Sequence, residues 1–161
     1  MSEEKNTSAI LDGEEQAAHE EQENGDQKKE KAITNPLELL SELCSGTLNL
    51  MKPFRAHSQD VTEVDFDMCA LTGAEIIEAL DSVPGVNNIF AISNEQAMAI
   101  FVASAAKCAP MVEDGGMRTR LYDAKDIKKQ MGAVDCVKAV QLAKLFYNAS
   151  SQAGNRNISK G

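Results

Sequence analysis

The stretch LNLMKPFRAHSQDVTEVDFDMCALTGAEIIEAL, residues 48–80, decides the fold. It opens with two extended runs. In the first, Leu48, Leu50 and Phe54 are apolar with Asn49 and Lys52 between them, and Met51 breaks the alternation. In the second, Thr62, Val64 and Phe66 share one parity, while Glu63, Asp65 and Asp67 share the other. That alternation predicts a half-buried strand with the even residues inward, and it leaves Val61 on the wet face. Residues 55–60 are polar apart from Ala56 and predict a hairpin loop. Pro53 cannot donate to a ladder, which makes the first strand an edge. Thr72-Gly73-Ala74-Glu75 then matches the S/T-x-x-E capping box, followed by Ile76, Ile77, Ala79 and Leu80. The segment therefore reads hairpin, turn, helix.

Upstream, residues 1–31 are rich in Glu, Gln, Asn and Lys and poor in large apolar side chains, apart from Ala9-Ile10-Leu11. Such a composition cannot bury enough surface to offset chain entropy, so a disordered acidic tail is expected. Residues 32–47 predict a short amphipathic helix. Asn35 caps it, Pro36 takes the first position, Glu38 reaches back, Leu37, Leu40 and Leu43 recur at spacing three, and Gly46 marks its stop. A helix this short must pack on its own domain or on a partner.

Downstream, Pro84-Gly85-Val86-Asn87-Asn88 is turn chemistry, and Ser93-Asn94-Glu95-Gln96 is a second capping box. Residues 97–107 carry apolar side chains almost all round, which predicts a central buried helix. Glu113-Asp114-Gly115-Gly116 reads as a flexible loop; with no G-K-[ST] following, the GG pair is no phosphate loop. Asp123 caps a short helix over residues 124–131 that Gly132 closes. The last helix, residues 134–149, places Val137, Val140, Phe146, Ala139 and Ala143 on a broad apolar side, and Asp135, Lys138, Gln141 and Asn148 on a polar stripe. Residues 151–161 read as a flexible tail, and no internal repeat is visible. The expected fold class is mainly α with a small β-hairpin (α+β): a compact helical domain over residues 48–150, preceded by the acidic tail.

Charge is uneven along the chain. Residues 1–106 carry 20 acids against 6 bases, and residues 107–161 carry 5 acids against 10 bases, for a net charge of −9. A net acidic chain with no Trp argues against a general nucleic-acid or anionic-membrane binder. The basic cluster Arg118, Arg120, Lys125, Lys128 and Lys129 is either a solvated face or a contact for an acidic partner or the acidic tail. Cys44, Cys69, Cys108 and Cys136 show no C-x-x-C spacing and read as reduced, small hydrophobes. The polar, charged N-terminus and the lack of a long apolar run predict a soluble intracellular protein. His19 and His57 belong to no set at metal-ligand spacing, and no local signature supplies a nucleophile, base or metal set. No enzyme, cofactor or metal is expected.

Taken together, these pieces carry a resemblance. Leu50, Lys52, Pro53 and Phe54 are followed by V-T-E-V-D-F-D at residues 61–67, Leu71-Thr72-Gly73, residues 75–79, the Ala-rich residues 93–106 and residues 123–146. In that order and spacing the chain, over residues 48–150, resembles phage tail assembly chaperones. The resemblance implies a helper in the host cytoplasm that binds the tape measure protein, keeps it soluble during tail assembly and is absent from the mature virion. The tail tube protein and a second copy of the chain are further partners it raises; nucleic acid and membrane are not expected. Leu37, Leu40, Leu43, Phe146 and Tyr147 are the candidate partner-binding residues, with the core as their alternative place. A structural tail or connector protein and an acidic regulatory adaptor are the alternative functions.

Overall fold

The computed structural model describes residues 36–84 and 91–158, with side chains over 40–84 and 91–153. The acidic segment 1–31 with His19, the Asn35 cap, the side chain of Leu37, the turn residues 85–88 and residues 159–161 lie outside the described residues. The described chain is an α+β fold of five α-helices and two antiparallel strand pairs. In order these are α1 (Pro36–Cys44), β1 (Ser45–Ala56), β2 (Gln59–Asp67), a 3₁₀ turn (Met68–Ala70), α2 (Gly73–Asp81), α3 (Asn94–Cys108), β3 (Met111–Asp114), β4 (Met117–Arg120), α4 (Ala124–Gln130) and α5 (Ala133–Ile158).

The hairpin β1–β2 forms where the alternation places it, but its details differ in three ways. Its turn is only His57-Ser58, with φ of 45° and 64°, so residues 55, 56, 59 and 60 pair in the ladder. Two positive φ values give the turn the twist that suits adjacent strands, and that twist outweighs the cost to two non-glycine residues. Gly46 lies in β1 opposite Phe66 rather than ending α1; a Cβ there would meet the Phe66 ring at 3.3 Å. The register also slips, with Asn49 facing Glu63 but Phe54 facing Val61. Residues 50–53 therefore bulge out of β1. The bulge explains the broken alternation at Met51, which is exposed while Leu48 and Phe54 are buried. It also shifts the parity of β2. Val61 is buried and Thr62 exposed, the reverse of the sequence expectation, while Val64 and Phe66 point inward as expected.

The capping boxes fold as their sequences dictate. The Thr72 hydroxyl accepts from the Glu75 N–H while the Glu75 carboxylate accepts from the Thr72 N–H at 2.7 Å. Ser93 and Gln96 make the same reciprocal pair, as do Asp123 and Asp126. The Thr72 N–H and the Lys107 ammonium hold Glu75 below the usual carboxylate range. A depressed pKa places the benefit of this box above the unfolded-state pKa and removes it as pH falls through the folded one. An NMR titration should accordingly find the Glu75 midpoint below the ordinary Glu value, and Lys107→Met should raise it.

α3 is the buried axis, in contact with α2, α4, α5 and β2. Ile100, Phe101, Val102 and Ala105 on it are fully covered, and the Phe101 ring lies 5.3 Å from that of Phe66. Ser104, also fully buried, accepts from the Asp67 N–H at 2.8 Å and so satisfies the end of β2. The stretch read as a flexible loop is instead the tip of a second hairpin, β3–β4, whose turn Gly115-Gly116 has φ of 59° and 84°. Gly-Gly supplies both positive φ values without steric cost. His57 Nδ1 lies 3.0 Å from Asp114 Oδ2, so the tips of the two hairpins are tied to each other.

Cys44 and Cys69 are joined as a disulfide, where four reduced thiols are expected from their spacing. The hairpin brings them together. Ser45 pairs with Asp67, so the residues just beyond that end, 44 and 69, are neighbours with Cα atoms 5.3 Å apart. The bond ties α1 to the 3₁₀ turn across a sequence separation of 25. Cross-linking a loop of that size stabilises by about 3 kcal/mol in the chain-entropy account. Cys69→Ser should therefore lower stability by about 2–4 kcal/mol in denaturant melts without reductant, and by far less with reductant present.

Candidate partner-binding surface

The longest of the described helices, α5, provides the candidate surface. Its first residues decide which way it faces. Asp135 is 0% exposed. Its carboxylate accepts from the Met51 N–H at 2.9 Å and from the Lys52 N–H at 3.1 Å, the two backbone donors that the β1 bulge sets free. The Lys138 ammonium lies 3.9 Å away, and the N-terminal turn of α5 adds its positive end. A buried charge is tolerated only when compensated in this way. Gly132 leaves room for the contact: a Cβ there would meet Lys52 Cβ at 3.1 Å and Asp135 Oδ2 at 3.3 Å. Its φ is not positive, so at this position the lack of a side chain matters and backbone freedom does not.

With Asp135 inward, the helix is rotated relative to the sequence expectation. Its covered stripe is Asp135, Ala139, Ala143, Phe146 and Ala149, at the spacing of four and three that keeps one face. The alanines let α5 lie close to its neighbours α1, α3 and β1. The exposed stripe is Val134, Val137, Gln141, Leu145 and Asn148. Val134 is 54% exposed, Val137 58% and Leu145 51%. Two assignments are thereby corrected: Asp135 leaves the polar stripe for the interior, and Val137 leaves the apolar side for solvent. The physical reason is that two unpaired backbone N–H groups need an acceptor more than one valine needs cover.

Beside this stripe, α5 and the start of α3 border a shallow groove of about 350 Å³ lined by Asn94, Met98, Cys136, Val137, Val140, Gln141 and Lys144. Burial and the nearby Asp135 carboxylate push the Cys136 thiol up, so it stays protonated at neutral pH and acts as an apolar wall. A second concavity of about 240 Å³ lies between α2, α3 and α4, with Leu71, Val102, Glu78 and Lys128 on its walls.

The residues picked from sequence sit differently. Phe146 is 6% exposed and belongs to the core. Tyr147 and Leu40 are half-buried against that core, and Leu43 is half-buried. In the basic cluster, Arg118, Lys125, Lys128 and Lys129 are exposed, while Arg120 donates from Nη1 to the Ala109 carbonyl at 2.9 Å. Val134 and Leu145 are not among the residues expected from sequence. A signal for them exists in the Ala139, Ala143, Ala149 spacing, which marks the close-packed face and leaves the larger apolar side chains opposite.

Among the described residues, no group of three or more His, Cys, Asp or Glu side chains is placed to hold a metal ion. Among them, too, no helix is long and apolar enough to cross a membrane. No family model, curated protein or solved structure matches the chain.

Proposed function

We propose that this chain is a phage tail assembly chaperone that binds the tape measure protein and keeps it soluble until the tail is built. The uncovered apolar stripe on α5, with the groove beside it, carries the reading. The order of motifs from Leu50 to Phe146 gives the stripe its context, because that order resembles the chaperones of tail assembly. A long amphipathic helix that has yet to meet its tube needs its apolar ridge kept from water, and a helix face with a shallow groove can cover such a ridge. Three half-exposed aliphatic side chains make modest contacts, which suits a partner that must later be released. No bond is made or broken in this role.

The chain should therefore be present in cells that are assembling tails and missing from purified particles. Mass spectrometry of both fractions checks this. A stoichiometric amount in finished tails would make the chain a structural component and end the chaperone reading.

A further inference from the structure

We propose that the α5 surface takes one amphipathic helix whose apolar ridge is edged on both sides by carboxylates. The proposal rests on the reading that this chain covers another protein's helix, and it specifies the chemistry of that helix. At about 100° per residue, Val134, Val137, Gln141 and Leu145 fall within an arc of roughly 80° on α5. That arc is a straight ridge about 16 Å long, at about 1.5 Å per residue, matched by two to three turns of a partner helix. Lys138, half-buried and 3.9 Å from Asp135, lies on one edge of the arc, and the half-buried Lys144 lies on the other side, by the groove. Lys52 is exposed on the bulge that Asp135 clamps to the same end of α5.

The charge on α5 and β1 is one-sided, and the exposed Glu95 of α3 stands just outside the groove lining. β1 contains no acid, and the single acid of α5, Asp135, is fully buried. The groove lining includes Lys144 and no carboxylate, and Lys144 makes no ion pair among the described residues. This cationic, apolar strip stands in a chain of net charge −9. Opposite charge at the edges fixes partner choice and register, as it does in paired helices. A second copy does not fit here. Isologous pairing would bring lysines against lysines, with no exposed acid on either element to answer them.

The test uses two synthetic helical peptides with the same leucine ridge, one flanked by Glu and one by Lys, titrated against the full chain by fluorescence anisotropy. The Glu-flanked peptide should bind about tenfold tighter at low salt, and the preference should shrink as salt screens the edges. Val137→Glu should weaken it by about tenfold or more, and Lys144→Glu should narrow the preference several-fold. Both variants should keep the wild-type circular dichroism spectrum, since Val137 is exposed and the half-buried Lys144 makes no ion pair among the described residues. Ile77→Glu, on the exposed side of α2, should change nothing. Equal affinity for the two peptides overturns the proposal, as does undiminished binding by a folded Val137→Glu chain. The solubility of the tape measure protein on co-expression decides the chaperone reading separately, so each can fail without the other.

Discussion

Asp135→Ala should destabilise the fold by about 3–5 kcal/mol, and Asp135→Asn by about 2–3 kcal/mol. The wild-type carboxylate is itself fully covered and accepts from two backbone donors, Met51 N–H and Lys52 N–H, at a part-buried seam between the bulge and α5. A bond to a charged acceptor contributes about 1.5–3 kcal/mol, and each orphaned buried donor costs about 1–3 kcal/mol. Asparagine keeps one acceptor oxygen but turns an NH₂ group toward the other donor, so it rescues half the site. Alanine rescues none and leaves Lys138 without its carboxylate neighbour. Urea melts give the magnitudes. Amide hydrogen exchange gives the location, because Met51 and Lys52 should lose protection in both variants before the β2 amides do. A loss under about 1 kcal/mol for Asp135→Ala would show that the bulge is held by something else.

Phe101→Ala should cost about 3–5 kcal/mol. Phe101 has no exposed surface, sits at the middle of α3 and meets Phe66 across the interface between helix and hairpin. Its removal leaves a cavity that rigid backbone on both sides cannot close. Domains of this size are stable by about 5–15 kcal/mol, so the alanine variant can fall close to unfolding. Phe101→Leu is the companion: it fills most of the space and should lose clearly less, about 1–2 kcal/mol. Similar losses for the two would place the importance of Phe101 in its ring contacts rather than in filled volume.

Much of this architecture is legible in the residues themselves. Thr72/Glu75, Ser93/Gln96 and Asp123 announce three helix starts because a cap is a local device, complete within four residues. The buried character of α3 is legible because its apolar side chains encircle it. What escapes a local reading is whatever one element imposes on another. The bulge at residues 50–53 exists because α5 supplies Asp135 to its N–H groups, 83 and 84 residues away in sequence. That single long-range pairing accompanies the buried Val61, the exposed Thr62 and the outward Val137. The Cys44–Cys69 bond likewise depends on the hairpin register and leaves no spacing signature. The second hairpin hid behind Gly115-Gly116 because two four-residue strands are too short to show alternation. On α5, Phe146 takes the core, the alternative place given for it, while Leu145 beside it lies outside.

As proposed above, this chain keeps another protein's helix out of water. Expressing the tape measure protein alone, with the wild-type chain and with the Val137→Glu chain, and measuring its soluble fraction, tests that claim most directly. The expected result is a soluble tape measure protein with the wild-type chain, loss of solubility without it, and a marked drop with Val137→Glu. Equal solubility with and without the wild-type chain would contradict the account.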